Sequence, residues 1–230
     1  MKKSILVLLV FTISSFAVFG QTETELIQQM LNSPVKVWGW SSNGKTGISI
    51  TYDPTNGEGR GDTVTKAYIL NTVTDSVLWE SLINTYDYTN ESTWEINEKA
   101  YNSALTVLVN NFRQQCRHYA IVIQDTPLKK DPLAHNSGKQ ISFKVNAVYE
   151  DMEDPGKLKS YTVTAQTSDG KSKTIFNKKK IPVPAPYTTV SIYGICTSPD
   201  NERALVVILE ESHWSIFYEF SGCILTKGYK

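Results

Sequence analysis

Short runs of alternating apolar and polar residues, separated by turn sequences, constrain the fold of this chain more than any other feature. Residues 143–149 place an apolar side chain at every second position, as in a strand with one buried face. Asn43-Gly44 and Asp169-Gly170 separate two such pairs of runs. Both dipeptides adopt positive φ readily and are typical of tight β-hairpins. Strands that are neighbours in the chain should therefore pair antiparallel, which indicates a mainly β fold.

The predicted strands fall into three groups along the chain. They are 35–41, 47–52, 66–71 and 76–80 in a first meander, 119–123, 143–150, 161–167 and 172–176 in the middle, and 188–197, 204–209, 214–220 and 223–226 in a last meander. Residues 204–209 are apolar throughout, which predicts a strand buried on both faces.

Two helices are expected beside the strands. A short one covers 21–33 and ends before Pro34. A longer one is predicted over about 92–115, because Ser92 and Glu95 have the spacing of a capping box. The apolar positions of the longer helix recur at the helical period and are Trp94, Tyr101, Leu105, Leu108 and Phe112. We expect this amphipathic helix to pack on a sheet.

The two meanders resemble each other, and this bears on the architecture. Residues 67–70, Ala-Tyr-Ile-Leu, parallel residues 215–218, Ser-Ile-Phe-Tyr. A closed propeller typically needs four or more blades, so two or three meanders favour a sandwich of blade-like sheets, with a partial propeller as the alternative. We therefore predict a mainly β (α+β) single domain over 21–230 with one long helix packed on it.

Two stretches resemble known propeller blades. Residues 40–45, Trp-Ser-Ser-Asn-Gly-Lys, continued to 68–71, and residues 197–201, Thr-Ser-Pro-Asp-Asn, are similar to blades of the WD40-like propellers of periplasmic TolB-type proteins. Over residues 36–225 the order of motifs resembles a family of predicted secreted bacterial proteins of unknown function. Residues 211–214, Glu-Ser-His-Trp, depart from that family's Gly-Phe-Glu-Gly. The resemblance implies export and a β-rich topology, and it implies no activity.

The first twenty residues have the pattern of a secretory signal peptide. Lys2 and Lys3 precede an almost wholly apolar run over 4–19, which is short for a bilayer span of about 20 residues. Cleavage is expected near Gly20/Gln21. The protein would then be periplasmic or secreted.

Charge and hydropathy argue against a nucleic-acid partner and against a transmembrane segment. Residues 1–20 hold two lysines and no acidic residue, so the 23 basic and 23 acidic side chains of the chain become 21 and 23 after cleavage, a net charge of −2. Such a balance offers no basic surface for nucleic acid. No later stretch approaches 18 apolar residues, so no transmembrane segment is expected in the mature chain.

The three cysteines, Cys116, Cys196 and Cys223, leave at least one thiol outside any internal pairing. Free buried thiols are favoured over a Cys196–Cys223 bridge, because first and fourth strands of a meander lie about 14 Å apart. The sequence has no CxxC, and its histidines are scattered. We therefore expect no metal site and no cofactor.

Candidate ligand-binding residues lie in one strand and one loop. Trp38 and Trp40 are predicted to share a strand face, where they would stack on a sugar or peptide or else pack in the core. The Gly-rich loop holds Asp53, Glu58 and Asp62, which would suit calcium, and Arg60 begins an Arg-Gly-Asp tripeptide. The alternative for the loop is a solvated connection.

No nucleophile, phosphate-binding or zinc-protease motif is present in the sequence. The carboxylates of Asp151, Glu153 and Asp154 are close in sequence but fit a solvated turn better than a pair flanking a substrate. The leading hypothesis is a non-catalytic binding module whose partner is an envelope protein or an extracellular ligand. The alternatives are a secreted hydrolase with a loop-built carboxylate site and a subunit of a cell-surface assembly. An exposed aromatic strip would favour the binder.

Overall fold

The computed structural model describes residues 21–54, 62–134, 138–150, 157–181, 187–213 and 215–230. A five-stranded sheet contains β1 (Val35–Trp40), β2 (Lys45–Tyr52), β3 (Val64–Asn71), β4 (Ser76–Asn84) and β5 (Val122–Thr126). A four-stranded sheet contains β6 (Leu133–Ala134), β7 (Gln140–Tyr149), β8 (Leu158–Thr167) and β9 (Ser172–Lys178), and a three-stranded sheet contains β10 (Thr189–Thr197), β11 (Arg203–Glu211) and β12 (Ile216–Ile224). The helices are α1 (Glu23–Leu31) and α2 (Glu98–His118).

All strand pairs are antiparallel, with the orders β4-β3-β2-β1-β5, β6-β7-β8-β9 and β10-β11-β12. The predicted mainly β sandwich with a helix packed on it is confirmed. The described residues form no closed barrel. The partial propeller remains a prediction. No helix in the described part of the chain is long and apolar enough to cross a bilayer.

The three-stranded sheet is the middle layer of the sheets. Leu205 and Val207 of β11 pack against the five-stranded sheet, while Val206 and Ile208 pack against the four-stranded sheet. All four side chains are fully buried, as predicted for a strand covered on both faces. The layers therefore run from helices through the five-stranded and three-stranded sheets to the four-stranded sheet.

The helices cover the outer face of the five-stranded sheet. Leu105 and Phe112 of α2 pack in one cluster with Trp38 and Ile69 of the sheet. Glu23 ties α1 to α2, because its carboxylate accepts hydrogen bonds from Thr106 and Asn110. The amphipathic face of the longer helix thus meets a sheet, as its periodicity predicted.

The predicted start of the longer helix is wrong. The helix begins at Glu98, and its N-cap is Asn97, whose side chain accepts from the Ala100 N–H. The side chain of Asn90 instead accepts hydrogen bonds from the backbone N–H groups of Ser92 and Thr93. This local bonding competes with the helix and holds these residues in a turn.

Trp94 therefore lies outside the helix, and not on its apolar face as the sequence had predicted. It adopts a positive φ of 59° and is 53% exposed. Thr89 and Ile96 close the turn through an antiparallel bridge. The capping-box spacing was therefore coincidental at this position, whereas Thr22 and Glu25 form a capping box at the start of α1.

The last meander has three strands, not the four that the sequence predicted. Gly222 and Cys223 lie inside β12, which runs without a break in its pairing with β11. Gly222 was read as the start of a new strand, but it marks a close backbone approach: a Cβ built there would lie 1.8 Å from the carbonyl oxygen of Thr72. The predicted buried strand at 119–123 is also shifted, because β5 begins at Val122, which is exposed at the sheet edge.

Candidate functional site

The prediction that Trp38 and Trp40 share a strand face is wrong. A β-bulge at Gly39, with a φ of 147°, shifts the alternation of β1 by one residue. The Trp38 indole N–H therefore donates to Ser49 Oγ at 2.8 Å on the helix side of the sheet. The Trp40 indole N–H donates to Cys196 Sγ at 3.2 Å on the other side. Both indoles are buried, so their role in the structure is core packing.

The Gly-rich loop is described only at its ends. Asp53 and Asp62 flank it, while Glu58 and Arg60 lie outside the described residues, as do the carboxylates at 151–154. The calcium and adhesion hypotheses therefore stay predictions. Within the described ranges, no three His, Cys, Asp or Glu side chains gather in a way that could hold a metal ion.

The three thiols are free and buried. Cys196 on β10 faces the five-stranded sheet, whereas Cys223 on β12 faces the four-stranded sheet, with β11 between them. Burial raises the pKa of Cys116 to about 12 and that of Cys196 to about 11. Such thiols are poor nucleophiles near neutral pH.

An ion network between the middle and four-stranded sheets was not predicted from the sequence. Lys178 Nζ donates to Glu210 Oε1 at 2.6 Å and to Glu219 Oε1 at 2.8 Å. The Tyr161 hydroxyl donates to the same Glu210 oxygen at 2.5 Å. Lys178 thus joins β9 to β11 and β12. Both carboxylates are engaged by one cation, so the network serves to hold the sheets together.

Several clefts in the described residues are lined by polar groups. One of about 600 Å³ lies among Tyr187, Thr189, Glu211, Ser212 and His213. Another of about 440 Å³ lies beside the ion pair of Lys139 and Asp169. The described lining of each of these two clefts brings one carboxylate to it. A third cleft, of about 310 Å³, is lined by the carboxylates of Asp87 and Glu95 but by no histidine. None of the three therefore gathers the several carboxylates and histidine that would favour a hydrolase.

The five-stranded sheet extends beyond the middle layer at β4. We call three exposed residues of β4 the β4 ledge; they are Val77, Glu80 and Leu82. Glu80 pairs with Tyr68 and Val77 with Leu70. Residues directly opposite in a ladder point to the same face, and Tyr68 and Leu70 pack toward the three-stranded sheet. The ledge therefore points to that side.

The last strand of the middle layer stops short of the ledge. Phe220 of β12 contacts Tyr68 of β3, with ring centroids 5.8 Å apart. Tyr218 of β12 contacts Tyr52 of β2 at 6.2 Å. β12 thus lies over β2 and β3, and no described strand of the three-stranded sheet lies over β4.

The outer edge of β12 is unpaired where it faces the ledge. β12 pairs with β11, and within the described ranges no strand lies on its other side. The Gly222 N–H points outward, because it donates to Asp75 Oδ1 at 2.5 Å. Outward direction alternates along a strand, so the backbone groups of Tyr218 and Phe220 point outward as well.

A half-buried aromatic strip runs from β12 toward β10, away from the ledge. Tyr218 makes edge-on contacts with Tyr52 and with Tyr193, the latter at 5.3 Å between centroids. Burial raises the pKa of Tyr218 to about 12, and Tyr193 and Glu211 add to the rise. The alternation of apolar and polar residues predicted that Tyr218 and Phe220 lie on one face of a strand. A single sequence carries no signal for the contacts of that face with residues more than 150 positions away.

Comparison with known proteins supplies no family for this arrangement. The chain matches no protein-family model, no curated protein and no solved structure. The resemblances to secreted bacterial proteins and to propeller blades therefore stay predictions. Any function has to be argued from the surface itself.

Proposed function

We propose that the chain is an exported, non-catalytic interaction module of the cell envelope that binds a protein partner at the β4 ledge and the free edge of β12. The observation that carries the proposal is the apolar ledge left uncovered beside an unpaired strand edge. Native proteins normally protect such edges or use them for binding.

Export is supported by the pattern of residues 1–20, which is that of a signal peptide. Among the described clefts, the hydrolase alternative finds a carboxylate pair in the one lined by Asp87 and Glu95, and no histidine lines that cleft. An intermolecular disulfide would favour the surface-assembly alternative, but the three thiols are buried. The binding module is the hypothesis that the described surface favours.

The substitution Leu82→Glu tests the proposal. It places a second carboxylate on the ledge, and we expect it to lower capture of a partner from envelope extract at least about tenfold, because apolar anchors carry much of the energy of an interface. Val148→Glu is the matched control, since Val148 is 52% exposed on the outer face of the four-stranded sheet and Leu82 is 54% exposed. The Val148→Glu variant should capture as much partner as the wild type, and the Leu82→Glu variant should capture much less. Equal capture by both variants and the wild type contradicts the proposal.

A further inference from the structure

We infer that the partner binds as a fourth strand of the middle sheet, and that its binding segment has the pattern apolar–x–basic–x–apolar. This inference rests on the proposed function and names the chemistry of the partner. The occupant is an extended peptide segment of another protein, held by backbone hydrogen bonds to β12 and by side chains that contact the ledge. Strand addition of this kind obtains affinity from the main chain and specificity from alternate side chains.

The backbone of β12 defines where the added strand can pair. The outward N–H of Gly222 donates a hydrogen bond to Asp75, and the outward carbonyl of Ile224 accepts one from the ammonium group of Lys173. These two contacts close the edge at its C-terminal end. The open part comprises Tyr218 and Phe220, so the added strand would be short, about five residues, near the usual strand length.

The ledge defines the side chains that the added strand needs. A strand beside β12 would lie about 4.8 Å from it and about 10 Å above the five-stranded sheet, the ordinary spacings within and between sheets. Every second side chain of that strand would then face the ledge. The ledge presents Leu82, Glu80 and Val77 in sequence, so its exposed carboxylate lies between two apolar side chains. The half-buried Lys66 of β3 lies opposite Leu82 on the same face, which leaves Glu80 as the exposed charge of the ledge. A basic residue flanked at two positions on either side by apolar residues matches this order, and the pattern reads the same in both strand directions.

A second copy of this chain fits the ledge less well. If β12 of a copy paired with β12, its residues at 216, 218 and 220 or those at 217, 219 and 221 would face the ledge. The first set is Ile, Tyr and Phe, and the second is Phe, Glu and Ser. Neither set brings a cation to Glu80, and the second brings a carboxylate. Charge complementarity thus favours a different protein over self-association.

The test uses the mature chain and a fluorescein-labelled heptapeptide, Thr-Val-Thr-Arg-Thr-Val-Thr, with anisotropy as the readout. We expect the Arg peptide to bind about tenfold tighter than the same peptide with Glu in place of Arg, and Glu80→Lys to reverse this preference. N-methylation of the peptide backbone on the edge that pairs with β12 should weaken binding at least about tenfold, because it removes the donors and leaves the side chains. Thermal melting checks that the exposed substitutions leave the fold intact.

Three results would overturn the inference. The first is peptide binding that N-methylation does not weaken, and the second is equal affinity for the Arg and the Glu peptide. The third is a wild-type chain that sediments as a dimer and that Leu82→Glu makes monomeric. If the peptide fails while capture from extract still depends on Leu82, strand addition is wrong and the proposed function stands. If capture is also independent of Leu82, the proposed function fails with it.

Discussion

Gly222→Ala should destabilise the protein by at least about 3 kcal/mol, near the upper end of overpacking costs. A Cβ at Gly222 would lie 1.8 Å from the carbonyl oxygen, 2.5 Å from the carbonyl carbon and 2.7 Å from the Cα of Thr72. All three are backbone atoms, so no side-chain rotation relieves the overlap. The β3–β4 turn has to move away from β12, and the hydrogen bond from Gly222 to Asp75 is strained or lost. Urea unfolding measures the change in the free energy of unfolding.

Gly170→Ala is the matched control for this substitution. Gly170 has a φ of 87°, and a Cβ there meets nothing within 4 Å, so the control carries conformational strain of about 1–2 kcal/mol without overlap. The contact between the β3–β4 turn and β12 would be wrong as described if Gly222→Ala cost no more than the control.

Lys178→Met should cost about 3 kcal/mol, at the lower end of the range for breaking a buried pair. The substitution preserves much of the side-chain volume but leaves the Glu210 carboxylate, which is 4% exposed, without its cation. Adding Glu210→Gln should recover most of the loss, because Gln is neutral and still accepts the hydrogen bond from Tyr161. The network contributes nothing to stability if the free energy of unfolding of Lys178→Met lies within about 1 kcal/mol of the wild-type value.

The pH dependence of this effect follows from the pKa of Lys178. Burial lowers that pKa, but the hydrogen bonds with Glu210 and Glu219 outweigh burial and raise it above the usual 10.5. A folded pKa above the unfolded value contributes stability that is complete below the unfolded pKa and is lost as pH rises through the folded one. From neutral pH upward, the difference between wild type and Lys178→Met should therefore be constant up to about pH 10 and shrink above it.

Alternation and turn chemistry predicted most strands because both act over a few residues. The apolar run at 204–209 correctly indicated a strand covered on both faces, now β11. The bulge at Gly39 has no signal in the composition of the strand, although one extra residue reverses the face of every later side chain. That single shift separates Trp38 from Trp40.

The sequence did not predict the β4 ledge, for a different physical reason. A half-buried pattern shows that one face of a strand is covered, but it does not show how many strands the covering sheet has. Residues 223–224 of the fourth strand expected at 223–226 are the end of β12, and the absence of a fourth strand from the middle layer is what leaves β4 uncovered. The Lys178 network likewise joins charged residues from three strands, and each of these residues looks like an ordinary surface charge in its own segment.

Photocross-linking in the native host tests the central claim most directly. The full chain, including residues 1–20, would carry p-benzoylphenylalanine in place of Leu82, or in place of Val148 as the control. We predict that the envelope fraction contains a heavier adduct with a partner protein from position 82 and none from position 148. A chain that stays in the cytosol, the same adducts from both positions, or no adduct from position 82 would contradict the account.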